Sequence, residues 1–275
     1  MTGRTRRARP VIADAVENET RGPVSGAQSV DRALSVMSCF ASRNQDWGIA
    51  ELSRALELSP STVHRIVRAL VSRGFLEQNK ETERYVLGRM ILVLGEIAHH
   101  DFGVDLAWPI LKKLGGDLGE SVNLGVRDDR TMVVLLHVES PHALRYDHGP
   151  GSSVPIHASA MGKAVLAFSG DPIAEVGALG SLTGYSPNTL SSKAALLADL
   201  EKTRDRGYSF DDAESTEGVR CVGAPIVDEA GSVRAAFAVQ APFVRMSDDR
   251  VAEIGEHMKG VAGQLAEAMR WQIRG

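Results

Sequence analysis

The sequence predicts an α+β protein with two folded domains joined by a helix. Its 275 residues suffice for two ordinary domains and a linker, and its 43% hydrophobic and 24% charged residues are normal for a globular chain. In the first third, three short segments with helical periodicity precede two short strand-like runs. In the remainder, helices bracket the strand-like runs of a mostly antiparallel sheet, which is typical of the α+β class.

We expect four segments along the chain. Residues 1–27 carry Arg, Pro, Gly and Glu without periodicity, which predicts a disordered tail; a basic arm that contacts nucleic acid is the alternative. A first folded domain over residues 28–88 precedes a connector helix over residues 89–103. A second domain occupies residues 104–275.

Three short helices are predicted in the first domain. Apolar spacing places the first helix from about Ser29, with one face formed by Val30, Ala33, Leu34, Met37 and Phe40. The second helix follows from Ile49, Leu52, Ala55 and Leu56. The third has the clearest ends, because Ser59 suits an N-cap, Pro60 the first helical position and Gly74 the C′ position. Its buried stripe is Val63, Ile66, Val67, Leu70 and Val71.

A β-hairpin is predicted after the third helix, from residues 75–78 and 84–87 on either side of the polar turn 79–83. Helix, turn, helix and hairpin together form the plan of a winged helix-turn-helix. The major groove of B-DNA admits one α-helix, so the third helix is the predicted reading helix.

The third helix and the hairpin supply the candidate DNA-binding residues. The face opposite the buried stripe carries short hydroxyls, an imidazole and two guanidiniums: Ser61, Thr62, His64, Arg65 and Arg68. An Arg at such a position is suited to bind a guanine through two hydrogen bonds. Such a pair contributes about 1–3 kcal/mol of discrimination against the other bases. Arg73 and Arg84 flank the hairpin and are expected to neutralise phosphates. The alternative for this face is an ordinary solvated helix surface.

Charge is distributed unevenly between the two ends of the chain. Residues 1–90 hold 14 Lys and Arg against 10 Asp and Glu, whereas residues 91–275 hold 17 against 25. A basic head on an acidic body suits a nucleic-acid-binding module attached to a domain with another task. Five of the basic residues lie before residue 22, so a merely Arg-rich tail is the alternative.

The second domain is predicted to alternate helices and strands. After a helix at 89–100 and another at 104–118, strands are expected at 122–126, 132–138, 143–146, 221–227 and 233–239. Further helices are expected at 159–168, 172–178, 192–205 and 248–270.

Several classes of function find no support in the sequence. The chain has two cysteines, no Cys-x-x-Cys, no His-x-x-x-His and no Gly-x-Ser-x-Gly, so we predict no metal, no cofactor and no catalytic residue. The longest apolar run, residues 90–94, is too short to span a bilayer, and no secretion signal is visible. We therefore expect a cytoplasmic protein without a membrane partner.

The chain resembles the IclR family of bacterial regulators over about residues 28–270. In the first domain the resemblance rests on SVDRAL at 29–34, IAEL at 49–52, STVHRI at 61–66, GFL at 74–76 and YVLG at 85–88. In the second it rests on PIHASAMGKA at 155–164 and GVRCVGAPI at 218–226. The resemblance implies a GAF/PAS-like effector-binding domain, dimers that pair into tetramers, and DNA binding controlled by a small metabolite.

The resemblance also implies which positions line the effector pocket. They are Tyr146, Val154, Ala160, Met161, Asp211, Val219, Cys221, Ala238 and Gln240. Independently, Ser159 is a good N-cap, and the first N–H groups of the helix it would begin attract carboxylates. Ala238 and Gln240 stand where small hydroxyl residues are common in family members that sense short keto-acids, and Met161 is larger than Gly or Ala. We therefore expect a larger or more apolar organic acid, such as an aromatic one.

The sequence predicts a regulator, more readily a repressor than an activator, on a pseudopalindromic operator. At single residues, plainer alternatives stay open: Ser159 as only a structural cap, Asp211 in a solvated loop, and Cys221 as an ordinary core residue. For the whole chain the alternatives are an enzyme with a helix-turn-helix appendage and a winged helix that binds protein. The effector, the operator and the regulated pathway are not predicted.

Overall fold

A computed structural model describes residues 27–41 and 46–269. The chain divides into two compact units, Met1–Ala98 and His99–Gly275. The disordered tail expected over residues 1–27 falls, except for its last residue, outside the described part. Among the described residues, no helix is long and apolar enough to cross a membrane.

The first unit contains three helices and a two-stranded hairpin. The helices are α1 (Gln28–Cys39), α2 (Ile49–Ala55) and α3 (Pro60–Ser72), and the hairpin pairs β1 (Leu76–Gln78) with β2 (Tyr85–Leu87). A seven-residue core joins them, formed by Val36, Phe40, Leu52, Val63, Val67, Leu76 and Tyr85. Helix α4 (Arg89–Asp101) follows the hairpin. The predicted winged helix-turn-helix is thus observed.

The ends of α3 are set by the three residues that predicted them. The Ser59 hydroxyl accepts a hydrogen bond from the N–H of Thr62, and Pro60 occupies the first helical position, where no N–H is needed. Gly74 has a φ of +75°, a left-handed conformation that suits glycine. These local signals fix where the candidate reading helix begins and ends.

The predicted apolar face of α1 is only partly covered. Val30 and Leu34 are 59% and 60% exposed, whereas Val36 and Phe40 belong to the core. Apolar spacing identifies an amphipathic helix but does not say what covers its apolar side. The N-cap is Ala27 and not Ser29, so the helix begins two residues earlier than a cap at Ser29 would place it.

The second unit is a six-stranded antiparallel sheet with helices on both faces. The strands β3 (Ser121–Asp128), β4 (Thr131–Val138), β5 (Ser153–Pro155), β6 (Ser209–Asp212), β7 (Val219–Val227) and β8 (Val233–Pro242) lie in the order β5-β4-β3-β8-β7-β6. The helices are α5 (Val104–Leu118), α6 (Ala160–Ala167), α7 (Pro172–Ala178), α8 (Lys193–Arg206) and α9 (Asp248–Met269).

Two hydrophobic cores lie on opposite faces of this sheet. One includes Leu111 of α5, Phe237 of β8 and Met258 of α9. The other includes Ala164 of α6, Leu196 of α8 and Ala238 of β8. Because side chains alternate along a strand, Phe237 and Ala238 point to opposite faces. We call the face covered by α6 the inner face.

In the second unit one predicted strand is wrong and two observed strands were not predicted. Residues 143–146 are not a strand; they lie in the irregular connection between β4 and β5, where Arg145 pairs with Glu139 and Tyr146 bonds Thr216. Strands β5 and β6, of three and four residues, were not predicted. Such short strands form because neighbouring strands supply their hydrogen-bond partners, which apolar periodicity does not report.

Candidate functional site

The outer face of α3 brings together four of the predicted DNA-binding residues. Ser61, His64, Arg65 and Arg68 are all exposed. Neither guanidinium forms an ion pair with a residue of the described part. Thr62 is half-buried, and its hydroxyl lies 2.8 Å from that of Ser59. This face therefore offers uncompensated positive charge and hydrogen-bond donors on a helix with fixed ends.

Arg84 has a different environment from the one predicted. Its guanidinium lies 2.6 Å from Glu51 Oε2 and 2.9 Å from Asp46 Oδ1, and it also donates to the Asp46 carbonyl. The N–H of Gly48 and this guanidinium hold the pKa of Glu51 below its usual range. Arg84 thus links the hairpin to the start of α2, with its charge compensated inside the unit. Arg73, at the C-cap of α3, is exposed as expected.

Three predicted effector-binding residues form one row across the inner face. Asp211 of β6 pairs with Cys221 of β7, and Cys221 pairs with Gln240 of β8. Ala238, two residues before Gln240, lies on the same face in the next row, opposite Gly223. Residues from three different strands are therefore neighbours at one place on the sheet.

The Asp211 carboxylate is buried and hydrogen-bonded. Its Oδ1 accepts the N–H groups of Glu214 and Ser215 at 2.7 and 3.3 Å, and its Oδ2 accepts the Ser215 hydroxyl at 2.6 Å. Burial raises the pKa of Asp211, against the effect of these hydrogen bonds. The alternative of a solvated loop is wrong for this residue, which is 0% exposed.

The start of α6 lies directly above β7. A Cβ on Gly223 would come within 2.7 Å of the Ala160 carbonyl carbon, so only glycine permits this approach. Ser159 caps the helix, because its hydroxyl accepts from Gly162 N at 3.2 Å and donates to the Pro155 carbonyl. Ala160 and Met161 are buried, and their N–H groups meet no acceptor in the described ranges.

Cys221 and Gln240 present polar atoms to the interior beside this helix start. Burial raises the pKa of the Cys221 thiol, and the neighbouring Asp211 raises it further. Gln240 is 5% exposed, and its Nε2 has no hydrogen-bond partner within residues 27–41 and 46–269. A buried amide N–H group without a partner is costly, and a bound acceptor removes that cost.

Two of the three remaining predicted pocket positions lie near these groups. Val219 begins β7 half-buried, two residues before Cys221, whereas Val154 of β5 is buried opposite Met132, at the other edge of the sheet from β6. Tyr146 reaches the inner face from the irregular connection, and its hydroxyl lies 2.8 Å from Thr216 Oγ1. Burial raises the pKa of Tyr146. Val219 and Tyr146 thus add an apolar side chain and a phenol beside the row, and the structure does not bring Val154 to it.

A buried charged cluster, which was not predicted from the sequence, lies next to this site. Lys163 of α6 is fully buried between Asp199 of α8 and Glu214, which follows β6. A long cation in an otherwise apolar helix that reads AMGKAVLA is the signal that points to a buried partner.

Two protein families match the chain, one for each unit. Residues 29–80 match the family described as IclR helix-turn-helix domain. Residues 99–267 match the family described as Bacterial transcriptional regulator IclR C-terminal, which covers more than half of the chain.

Curated relatives match over most of their own length. The acetate operon repressor of Salmonella typhimurium is 35% identical over 241 residues, covering 86% of this chain and 88% of the relative. The transcriptional repressor IclR of Escherichia coli is 33% identical over 252 residues, covering 90% and 89%. The regulator BhcR of Paracoccus denitrificans is 33% identical over 247 residues, covering 89% and 88%.

Solved structures have the same fold. The Thermotoga maritima IclR superposes with a TM-score of 0.74 at 25% identity, covering 88% of this chain and 99% of that one. An IclR homologue from Microbacterium hydrocarbonoxydans, solved with 4-hydroxybenzoate, has a TM-score of 0.76 at 21% identity, covering 88% and 99%. Because its helix-turn-helix domain and its α+β domain each match an IclR domain, the chain belongs to the IclR family of bacterial transcriptional regulators.

Proposed function

We propose that this chain is a repressor in which an organic acid, bound on the inner face of the second unit, controls operator binding. It is proposed to act in the cytoplasm, without catalysis, on a pseudopalindromic operator. The observation that carries the DNA-binding half is the outer face of α3, where Arg65 and Arg68 stand exposed and without ion pairs in the described part. A dimer of such helices reads two half-sites about 34 Å apart.

The start of α6 and Gln240 support the choice of an acid. The free N–H groups of Ala160 and Met161 suit a carboxylate, and the helix dipole favours negative charge at the same place. Gly223 lies under Ala160, and Cys221 lies two residues away from it along β7, which corresponds to about 7 Å. The partnerless amide of Gln240, paired in register with Cys221, is therefore suited to a second polar group at the far end of the ligand.

The lining of this site supports a larger acid than glyoxylate or pyruvate. The side chains around the two polar ends are apolar or soft, and they include Met161, Val219 and Ala238. The homologue from Microbacterium hydrocarbonoxydans, whose structure holds 4-hydroxybenzoate, has the same fold. We therefore propose a hydroxylated aromatic acid, or an acid of similar length, as the effector.

Helix α4 supports self-association of the head. None of its residues is buried, and its apolar side chains are largely exposed, with Leu92 at 77%, Ile97 at 54% and Val93 at 50%. Monomeric proteins seldom leave a helix of this composition uncovered. We propose that a second copy of the chain covers it in a dimer, which the two half-sites of an operator require; pairing of dimers into tetramers is proposed from the family resemblance alone.

Substitutions on α3 test the DNA-binding half. Footprinting on the region upstream of the protein's own gene locates the bound site, and gel shifts then compare Arg65→Ala and Arg68→Ala with the parent chain. We expect both variants to bind that site more weakly, while Lys202→Ala, an exposed substitution on α8, leaves binding unchanged. Unchanged binding by both arginine variants would remove this face from the interface.

Calorimetry with defined acids tests the effector half. We expect 4-hydroxybenzoate or benzoate to bind more tightly than pyruvate or glyoxylate, and to release the operator fragment in the gel shift. Tight binding of glyoxylate or pyruvate would refute the proposed ligand class. Conversion of a bound acid to a product would show that the chain is an enzyme.

A further inference from the structure

A groove of about 270 Å³ runs between α1 and α3. Its apolar lining is Ala33, Ile66, Ala69 and Leu70, and its polar lining is Ser29, Arg32, Thr62 and Arg65. We call it the α1–α3 groove. Its lining in the described part of the chain includes no acidic residue, and each helix contributes one hydroxyl and one guanidinium.

The two guanidiniums of this groove are uncompensated. Within residues 27–41 and 46–269, neither Arg32 nor Arg65 forms an ion pair or a side-chain hydrogen bond, and this includes Asp31, the neighbour of Arg32 in sequence. Arg84 and Arg245, by contrast, are neutralised by carboxylates. Two like charges on one groove repel each other, and an anion between them relieves that repulsion.

We propose that the α1–α3 groove receives a phosphate of the DNA backbone, so that Arg32 is a DNA-positioning residue supplied by α1. The inference rests on the proposed function, because DNA is the anion that α3 would bring to this place. Arg65 belongs both to the groove and to the outer face of α3. A duplex seated on that face therefore runs its backbone beside Arg32, with the Ser29 hydroxyl as a further donor.

A backbone contact has a different signature from a base contact. Phosphates are the same in every sequence, so Arg32 is expected to strengthen binding to the operator and to unrelated DNA by the same factor. Each phosphate that the protein neutralises also releases condensed counterions, so log K falls as log salt rises. The loss of one such contact makes this negative slope shallower by about 1. Arg68, proposed to read bases, is expected to change the ratio of specific to non-specific affinity.

Fluorescence anisotropy with the full-length protein tests the inference. The probes are the footprinted upstream duplex and a scrambled duplex of equal length, each titrated at several KCl concentrations. For Arg32→Gln we expect the affinities for both duplexes to fall about tenfold. The negative slope of log K against log salt is expected to become shallower by about 1, and the ratio of the two affinities is expected to stay unchanged. Arg32→Lys keeps the charge and is expected to retain the slope. Lys202→Ala is the control for removal of a charge elsewhere.

The possible outcomes separate this inference from the proposed function. If the parent chain does not prefer the upstream duplex, the proposed function fails. If the parent prefers it but Arg32→Gln keeps the parent's affinity and slope, only the role of Arg32 is overturned. A loss confined to the upstream duplex also overturns it, since that pattern belongs to a base contact. Should Arg32→Gln melt at a lower temperature than the parent, the salt dependence of binding is compared between Arg32→Ala and Arg32→Lys. A weaker salt dependence for Arg32→Ala supports the role of Arg32, and equal salt dependence overturns it.

Discussion

The ammonium of Lys163 lies 2.5 Å from Oε1 of Glu214 in the interior of the second unit. The side chains are 0% and 6% exposed. Asp199 Oδ2 lies 2.9 Å from the same ammonium, as an ion-pair contact without hydrogen-bond geometry. The N–H of Glu214 in turn donates to Asp211. The cluster therefore fastens α6, where the effector carboxylate is proposed to bind, to the turn that holds the Asp211 carboxylate.

Removing the cation from this cluster is expected to cost much of the stability of the second unit. Lys163→Met keeps the apolar stem but leaves the buried Glu214 carboxylate and the partly exposed Asp199 carboxylate without their counter-charge. Removing one partner of a buried pair costs about 3–5 kcal/mol. Urea unfolding measures the loss. Lys202→Met, on the exposed side of α8, is the matched control and is expected to change little. Equal losses in the two variants would contradict a structural role for the ion cluster.

Glu214 makes stability depend on pH near neutrality. Burial raises the pKa of its carboxyl to about 7 from 4.5, although Lys163 acts in the opposite direction. The folded state therefore holds this proton more tightly than the unfolded state does. The resulting stabilisation is fully present below pH 4.5 and is lost as pH rises through about 7.

Unfolding free energies of the parent chain and of Glu214→Gln, measured between pH 5 and 8, isolate this effect. The parent is expected to lose stability across that range relative to the variant, because the amide introduced by the substitution does not titrate. Asp211, whose pKa is also raised, contributes to both proteins and cancels in the comparison. A constant difference between the two proteins at every pH would rule out Glu214 as the titrating group.

Gly162 permits the turn that places the start of α6. A Cβ there would overlap the Ile156 carbonyl oxygen, a backbone atom that moves only with the chain. Gly162→Ala is expected to destabilise the protein by at least about 1–3 kcal/mol, as overpacking does, and to weaken binding of the acid in calorimetry. Gly260→Ala in α9 meets nothing within 4 Å in the described part of the chain and is the matched control, expected to stabilise slightly. If Gly162→Ala left both the stability and the binding of the acid unchanged, α6 would be able to shift and accommodate the added methyl group.

The head was predicted well because its signals are local. A cap, a proline and a glycine fix the ends of α3 within the sequence that forms it, so Ser59 and Gly74 could be interpreted without knowing any tertiary contact. The polar turn between β1 and β2 is equally local. The partners of Arg84 could not be predicted in this way, since Asp46 and Glu51 precede it by more than thirty positions.

The second unit was harder because its determining contacts are distant in sequence. Strand β6 exists through its pairing with β7, and Lys163 finds Glu214 across 51 positions. The pocket positions came from the family resemblance and not from periodicity. The structure brings Asp211, Cys221 and Gln240 into one row, which sequence spacing alone does not reveal.

The uncovered face of α4 gives the last prediction. Leu92→Asp puts a charge at the most exposed of its apolar positions, and burying that charge in a dimer interface is costly. Light scattering on the eluting protein is therefore expected to show a smaller oligomer. Operator affinity is expected to fall as well, because a chain that binds one half-site loses the effective concentration supplied by its linked partner. Ile173→Asp is the control, since Ile173 is 72% exposed on α7. If both variants keep the parent's mass and affinity, something other than α4 holds the copies together.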